Sequence, residues 1–173
     1  VIDEVADHGI ESVLIRGGEP FTFPGIVELL EYIRSKEISI AIDTNGTLLG
    51  RYAADLVRIG GIHLTISMDG PEPVHDEVRG VLGTYQAIKK ALAHLSEVER
   101  GSSHPISRSL SFTISPFSYR GLGDLPDVAR ELGVDTVCII PYYYVPNEIG
   151  RQYECELAGL GCSAYTWRGF HHE

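Results

Sequence analysis

The chain has 173 residues, a formal net charge of −10, and a composition that is 43% hydrophobic and 22% charged. This length and balance fit one soluble globular domain with a sizeable core. The sequence has no basic run and no apolar stretch of about 18 residues, so we expect neither nucleic-acid binding nor a membrane span. The cysteines, Cys138, Cys155 and Cys162, are odd in number and follow no secretion signal, which predicts a cytoplasmic protein.

The apolar pattern alternates between helix and strand along the chain. Residues 1–8 are typical of the end of a helix, and helices are also predicted at residues 26–33, 51–59, 122–132 and from Thr84 onward. Strands are predicted at residues 12–16, 38–42, 62–68, 110–114 and 136–140, with a loop at residues 69–83. Thr84 and Asp124 are candidate helix N-caps, and Gly133 is a helix stop signal.

This alternation predicts βαβ units and therefore an α/β fold with a parallel sheet. A barrel or partial barrel and an open doubly wound sheet both fit the pattern, and periodicity alone does not choose between them. In either fold, the loops that follow the carboxyl ends of the strands carry the chemistry.

Polar and glycine-rich residues concentrate at those strand ends. They are Gly17-Gly18-Glu19-Pro20, Asp43-Thr44-Asn45-Gly46, Ser67 with Asp69-Gly70, Thr113 with Ser115-Pro116, and Pro141 with Tyr142, Tyr143 and Tyr144. The loops from helix to strand carry only turn residues such as Gly60-Gly61. This asymmetry predicts that the rim formed by the strand ends is the functional face.

Two of these strand ends have the chemistry of a binding site. Gly17 and Gly18 leave backbone groups open to a ligand, and Glu19 offers a carboxylate to a cation or an amine. The alternative is a tight turn in which Glu19 only caps the next helix. Ser67 and Asp69 suit a sugar diol or an amino-acid head group, and the alternative is a capped turn around Asp69.

The order of three motifs carries a resemblance to a known family. GGEP is followed by TNGTLL and then by SMDGPEPVHDEVRG with a glycine-threonine helix start. This order resembles radical S-adenosylmethionine (SAM) enzymes, particularly the peptide-modifying, SPASM-type subgroup, from the first residues to about Pro146. The resemblance implies a partial (β/α)6 TIM-like barrel with parallel strands, whose first strand is missing here. Residues 1–146 would hold strands two to six of this core, and residues 147–173 would begin a truncated following segment.

The resemblance also implies roles for residues of the first strand end. Gly17, Gly18, Glu19 and Pro20 match the family motif that holds the methionine amino group of SAM. The two glycines would clear space, and Glu19 would accept from the ammonium group.

Further cofactor contacts are implied for the next two strand ends. Thr44 and Asn45 would line the floor between cofactor and substrate, although a local turn also explains Asn45-Gly46. Ser67 and Asp69 match the position that contacts the ribose or the carboxylate of SAM. Arg79 is a candidate partner for that carboxylate, and the alternative is a surface arginine paired with the nearby Asp76 or Glu77.

The chain departs from the family in one respect. The family signature, a Cys-x3-Cys-x2-Cys loop that ligates a [4Fe–4S] cluster, is absent, so we expect the ligands upstream of this chain and an inactive fragment. The parent enzyme would cleave SAM reductively to a 5′-deoxyadenosyl radical that abstracts hydrogen from a small-molecule or peptide substrate, with an electron donor as partner. No residue of this chain is assigned a catalytic or metal-binding role.

Three smaller features remain, and the first two have two interpretations each. Residues 142–144 would stack on adenine or substrate, or form an aromatic lid on the core. Cys155 and Cys162 would begin an auxiliary cluster site, or be ordinary thiols. The ending at residues 171–173 lacks a partner at metal-ligand spacing and is expected at a frayed terminus.

Two other functions compete with the radical enzyme. One is a cluster-free homologue that binds a nucleotide-like ligand or a partner without catalysis. The other is an unrelated α/β phosphate-binding enzyme, which is disfavoured because no glycine-rich loop carries a following lysine and no G-x-G-x-x-G follows a strand.

Overall fold

Five strands form one sheet in the computed structural model, which describes residues 1–102, 105–141 and 146–159. They are β1 (Ser12–Ile15), β2 (Ser39–Thr44), β3 (Ile62–Ser67), β4 (Ser107–Ile114) and β5 (Thr136–Pro141). The strands are parallel and lie in the order β1-β2-β3-β4-β5. All five predicted strands are confirmed, and their ends differ from the predicted ones by three residues at most.

The strand order decides between the two folds that the sequence left open. An open doubly wound sheet reverses its order at a switch point, whereas a barrel keeps strands that are consecutive in the chain next to each other. Here each strand pairs with its neighbours in the chain. The predicted α/β fold with a partial TIM-like barrel arrangement is therefore confirmed.

Helices precede, connect and follow the strands. They are α1 (Ile2–Asp7), α2 (Ile26–Ser35), α3 (Leu49–Ile59), α4 (Glu72–Arg79), α5 (Thr84–Val98), α6 (Leu125–Leu132) and α7 (Asn147–Ala158), with short 3-10 helices at Pro20–Thr22 and Tyr119–Asp124. The chain divides into two units after Ile140, and α7 lies in the second. None of the helices in the described ranges is long and apolar enough to cross a membrane.

The loop predicted at residues 69–83 is wrong, because α4 lies within it. The buried residues of α4 are His75 and Asp76, which are polar, so this segment has no apolar stripe for a periodicity argument to detect. Pro71 occupies the N-cap position, and Gly80 ends the helix in the left-handed conformation at φ 68°.

The prediction that Thr84 caps α5 is also wrong. Gly83 occupies the N-cap position and makes no side-chain cap, while Thr84 is the first helical residue. Asp76 of α4 supplies the cap instead, because its carboxylate accepts hydrogen bonds from the backbone N–H groups of Gly83 and Tyr85 and from the Thr84 hydroxyl. The helix start is therefore satisfied by a neighbouring helix rather than locally.

The other two helix-end predictions concern α6. Asp124 occupies its N-cap position as predicted, although the Asp124 side chain makes no capping hydrogen bond. Gly133 ends the helix as predicted, in the left-handed conformation at φ 65° and ψ 40°. The predicted start at residue 122 is early because residues 119–124 form a 3-10 helix.

Helices α1, α2, α3, α5 and α6 pack on one face of the sheet. Alternate residues of the strands join helix residues in one core, which includes Ile40, Ile42, Ile62, Leu64, Ile66, Ile26, Leu30, Leu56, Ile88 and Leu92. Burying one such side chain stabilises the fold by about 1.5–3 kcal/mol, which exceeds the effect of a single helix cap. The residues between them on β2 and β3 point to the opposite face of the sheet.

Candidate functional site

Glu19 joins the carboxyl ends of β1 and β2. Its Oε1 atom accepts from the Thr44 hydroxyl at 2.7 Å and from the Phe21 backbone N–H at 3.2 Å. Its Oε2 atom accepts from the Asn45 backbone N–H at 2.7 Å. The carboxylate therefore caps the 3-10 helix that follows β1 and also fixes the strand end beside it.

Gly17 and Gly18 lie in the open immediately before Glu19. No other atom lies within 4 Å of the position that a Cβ would take on either glycine. Gly17 has φ +148°, which L side chains rarely adopt, while Pro20 is buried at the start of the 3-10 helix. A cavity of about 200 Å³ adjoins this segment, lined partly by Gly17, Gly18 and Glu19. A ligand can therefore approach this backbone directly.

Thr44 and Asn45 form a fixed turn at the end of β2. Thr44 is 2% exposed, and its hydroxyl accepts from the Gly46 backbone N–H at 3.0 Å while donating to Glu19. The Asn45 side-chain oxygen accepts from the Thr47 backbone N–H at 2.9 Å and from the Thr47 hydroxyl at 2.7 Å. Glu19, Thr44 and Asn45 thus form one connected group, as the predicted site requires, and their contact with a cofactor stays a prediction.

Asp69 and Arg79 form a second group at the end of β3. The Arg79 Nε–H donates to the Asp69 carboxylate at 2.6 Å, and the His75 Nδ1 atom lies 3.1 Å from the same carboxylate oxygen. Asp69 is 5% exposed and Ser67 is half-buried. The partner of Arg79 is therefore Asp69, rather than the Asp76 or Glu77 of the alternative interpretation. The cofactor contacts of Ser67, Asp69 and Arg79 stay predictions.

Asp76 and Glu77 have other partners. The hydrogen bond from the Thr84 hydroxyl, and then the backbone N–H of Tyr85, hold the pKa of Asp76 below its usual range. Glu77 accepts from Arg120, which belongs to the 3-10 helix after β4. The loop after β3 and the loop after β4 also meet closely, because a Cβ on Gly70 would lie 2.9 Å from the Gly121 Cα.

The face of the sheet opposite the helices is polar, and the sequence predictions largely missed it. We call it the polar face, and it consists of Leu14, Arg16, Ala41, Asp43, His63, Thr65, Ser67, Ser107, Ser109 and Ser111. The alternation in SRSLSFTI and IHLTIS was the available signal, since hydroxyl or imidazole side chains recur at every second position of both strands. Asp43 and Ser67 are the members that the predicted strand ends included.

Register places the polar residues in rows. Asp43 pairs with Thr65, and Thr65 pairs with Ser109, so these three side chains lie side by side across β2, β3 and β4. Next to this row, the His63 Nδ1 atom lies 2.7 Å from the Ser107 hydroxyl, and its Nε2 atom lies 2.9 Å from the Ser109 hydroxyl. Small polar side chains therefore occupy a face that closed barrels fill with bulky apolar ones.

Comparison with known protein families matches the segment that holds these strand ends. Residues 1–106, which hold all three motifs, match the Radical SAM superfamily. The chain belongs to the radical SAM superfamily. The resemblance that the motif order carries is thereby confirmed.

Two radical SAM relatives come from Methanosarcina barkeri. Fe-coproporphyrin III synthase is 30% identical over 145 residues, which are 83% of this chain and 35% of that protein. AdoMet-dependent heme synthase is 31% identical over 153 residues, which are 87% of this chain and 42% of that protein. The chain thus spans 35–42% of the length of these two relatives.

The fold is similar to that of a protein of known structure. Streptococcus suis SuiB bound to S-adenosylmethionine has a TM-score of 0.68 and 20% identity, over 94% of this chain and 40% of that chain. SuiB is also known bound to the precursor peptide SuiA. At this identity the similarity concerns the fold alone.

The residues at the end of β1 fit SAM. Gly17 and Gly18 leave room for a ligand against the backbone, and Glu19 Oε2 accepts from one described donor, so it retains capacity to accept from an ammonium group. The fit to SAM rests on the open backbone of Gly17 and Gly18 beside the hydrogen-bonded carboxylate of Glu19.

The described residues do not fit an iron–sulfur cluster. No group of three or more His, Cys, Asp or Glu side chains in the described ranges is arranged to hold a metal ion. Cys138 and Cys155 are both exposed and unpaired. Residues 142–144, Cys162 and residues 171–173 lie outside the described residues, so the predictions made for them stay untested.

Proposed function

We propose that this chain is the SAM-binding part of a radical SAM enzyme. The observation that carries the proposal is the open backbone of Gly17 and Gly18 beside a carboxylate, Glu19, that three donors hold in place. It occurs within the segment that matches the family. When bound and reductively cleaved, SAM would supply a 5′-deoxyadenosyl radical that takes a hydrogen atom from a substrate.

The residues of this chain would bind and orient the cofactor. The backbone at Gly17 and Gly18 would receive the methionine end of SAM, with Glu19 accepting from its ammonium group. Ser67, at the end of β3, would offer its hydroxyl to the ribose or the carboxylate. Asp69 and Arg79, which pair with each other, would act by holding this strand end in position.

The proposed enzyme needs further parts that these 173 residues do not supply. We propose that cysteines outside these 173 residues hold the [4Fe–4S] cluster, that an electron donor reduces it, and that the chain alone is inactive. Residues 1–146 would form the core, and residues 147–173 would begin the following segment. A cytoplasmic location stays a prediction from the cysteine count.

The substrate would lie over the polar face, on the same side as the strand ends. The relatives named above differ in what their names imply, since two are synthases of iron porphyrins and SuiB is known with a precursor peptide. Both a small molecule and a peptide therefore remain within the proposal.

The test uses this chain together with any sequence that precedes it in its gene, purified without oxygen. Iron and sulfide content are measured first, and then 5′-deoxyadenosine formation after addition of SAM and dithionite. We expect a cluster and 5′-deoxyadenosine. A complete protein with neither would contradict the proposal and favour the cluster-free binding homologue.

A matched pair of glycine variants tests the site itself. A Cβ on Gly18 or on Gly123 meets no atom within 4 Å, and neither glycine has a positive φ, so both alanine variants should fold normally. Gly18→Ala should weaken SAM binding about tenfold or more, because the methyl group occupies the ligand space, whereas Gly123→Ala should not. Equal SAM affinity of the two variants by calorimetry would show that SAM does not contact this backbone.

A further inference from the structure

Arg16 stands on the polar face at the point where β1 ends. Its Nε atom lies 3.5 Å from the Oδ2 atom of Asp43, so the two side chains form an ion pair across β1 and β2. Within the described residues, this is the one polar contact of the Arg16 side chain, which is 71% exposed. Most of this side chain is therefore open to solvent.

The ion pair leaves one edge of the guanidinium free for a ligand. A guanidinium presents donors in a rigid fork, which suits two parallel hydrogen bonds to a carboxylate. Asp43 contacts the Nε side, and within the described residues no hydrogen bond or ion pair involves the two terminal nitrogens. Arg16 thus has donors available for a ligand beside its ion pair with Asp43.

The surroundings of Arg16 leave space for a ligand. Leu14 and Ala41 lie in one register row beside it, and Thr65 lies in the row of Asp43. The helices pack on the other face of the sheet. An anion over this face would meet the guanidinium first and the hydroxyl of Thr65 next.

The charge balance favours a carboxylate over a phosphate. Phosphate sites in proteins usually combine several cations, helix N-termini or backbone nests. Among the described residues of the polar face, Arg16 is the one Lys or Arg side chain, and a carboxylate, Asp43, lies beside it, so a dianion would be repelled more strongly than a monoanion.

We propose that Arg16, paired with Asp43, determines specificity by binding a carboxylate group of the substrate over the polar face. The inference rests on the proposed function only in taking this face as the substrate side. Its ligand would be a carboxylate-bearing small molecule or an acidic peptide side chain, which share this chemistry.

The test is an NMR titration of the full 173-residue chain with sodium acetate at constant ionic strength. The Arg16 Nε–H signal should shift saturably, with a dissociation constant in the millimolar range. Arg51 is the internal control, since it is exposed on α3 and its side chain has no partner among the described residues. Equal shifts of Arg16 and Arg51 would overturn the proposal, and so would tighter binding of inorganic phosphate than of acetate.

A conservative substitution tests the paired hydrogen bonds from the guanidinium group. Arg16→Lys keeps the charge and should weaken acetate binding by about fivefold, read from the Thr65 amide, because an ammonium group cannot make the paired bonds. Arg51→Lys should leave acetate binding unchanged. Neither variant should alter the unfolding midpoint, since exposed ion pairs contribute little to stability. Unchanged acetate affinity in Arg16→Lys would contradict the bidentate contact.

Adding SAM separates this inference from the proposed function. Acetate should still bind at Arg16 when SAM is present at saturation. Displacement of acetate by SAM would assign Arg16 to the carboxylate of the cofactor and overturn the substrate assignment. If the chain binds no SAM while acetate still shifts Arg16 alone, the proposed function fails and the carboxylate site stands.

To identify the substrate type, the titration is repeated with two further probes, glutarate and a short glutamate-containing peptide. Tighter binding of the peptide would indicate an acidic side chain, and tighter binding of glutarate a free small molecule. Binding of neither probe at Arg16 would overturn the proposal.

Discussion

Glu19 illustrates how one side chain can serve both the fold and a ligand. Its carboxylate accepts from Thr44, Asn45 and Phe21, which together connect two strand ends and a 3-10 helix. Carboxylates can accept about four hydrogen bonds, so three internal donors leave room for one more. A ligand at Gly17 and Gly18 would then meet an acceptor whose position is set before it binds, which reduces the entropy lost on binding.

Thr44→Val tests the hydrogen bonds that the Thr44 hydroxyl makes with Glu19 and Gly46. The substitution keeps the β-branched shape but removes the hydroxyl that donates to Glu19 and accepts from Gly46. Because Thr44 is 2% exposed, we expect a loss of about 1–3 kcal/mol in the free energy of unfolding, measured with urea. Thr44→Ser keeps the hydroxyl and should lose about 1 kcal/mol or less, for the missing methyl group. An equal loss in both variants would mean that the hydroxyl contributes nothing.

For single residues, the sequence predicted which residues lie at the site better than it predicted their hydrogen-bond partners. Gly17, Gly18 and Glu19 could be predicted because strand ends on one rim collect functional residues. Their internal contacts could not, because Glu19 and Thr44 are 25 residues apart and only the sheet register brings them together. Arg16 was missed for another reason: it reads as the last residue of an ordinary strand until the register pairs β1 with β2.

The pair of helices α4 and α5 depends on a polar contact. Asp76 lies in α4, is 6% exposed, and caps the first turn of α5 through its carboxylate. The first turn of a helix has backbone N–H groups without intrahelical partners, and a negative charge there also interacts favourably with the helix dipole. The charge of one buried side chain therefore satisfies the first turn of α5, while the apolar residues of this helix pack in the core.

Acid should weaken this contact in a defined pH range. Hydrogen bonds, first from Thr84 and then from Tyr85, lower the pKa of Asp76 below its ordinary value of 3.8, so folding favours the ionised form. The stabilisation is complete above pH 3.8 and is lost as the pH falls through the lowered pKa. We therefore expect Asp76→Asn to be less stable than the wild type at pH 7, with the difference narrowing below about pH 4.

Urea unfolding at several pH values between 7 and 3 measures this difference. Asp124→Asn is the matched control, since Asp124 holds the N-cap position of α6 without a side-chain hydrogen bond. This control should stay close to the wild type at pH 7. A stability difference for Asp76→Asn that stays constant down to pH 3 would show that the charge of Asp76 does not act on folding.

Helix α4 also marks the limit of prediction from the pattern of apolar residues. Helices α2, α3 and α5 were predicted because their apolar residues form a stripe that packs on the sheet. Helix α4 buries His75 and Asp76 instead, and its partners are Asp69 and the start of α5. Only the folded structure shows that these polar residues are paired, so the sequence alone indicated a loop.

For the whole molecule, the alternation of helices and strands predicted the α/β class. The strand order in the structure then distinguished a partial barrel from an open doubly wound sheet. The rim of strand ends was predictable because parallel strands all end on one edge of a sheet. The polar face was not predicted, although its signal, alternation of polar and apolar residues in β3 and β4, was present in the sequence. Such alternation is usually taken as a half-solvated sheet, and the register was needed to connect its residues into rows.

Stability should differ between the middle and the first strand of this sheet, and amide hydrogen exchange measures it. Strands β2 and β3 have a neighbour on each side and supply fully buried residues such as Ile42 and Leu64, whereas β1 and α1 contain no buried residue. Because local opening requires less energy where few apolar contacts are lost, amides of α1 and β1 should exchange well before those of β2 and β3. If β1 exchanges as slowly as β3, its second edge must be covered. A dependence of that protection on protein concentration would then indicate pairing with a second copy of the chain.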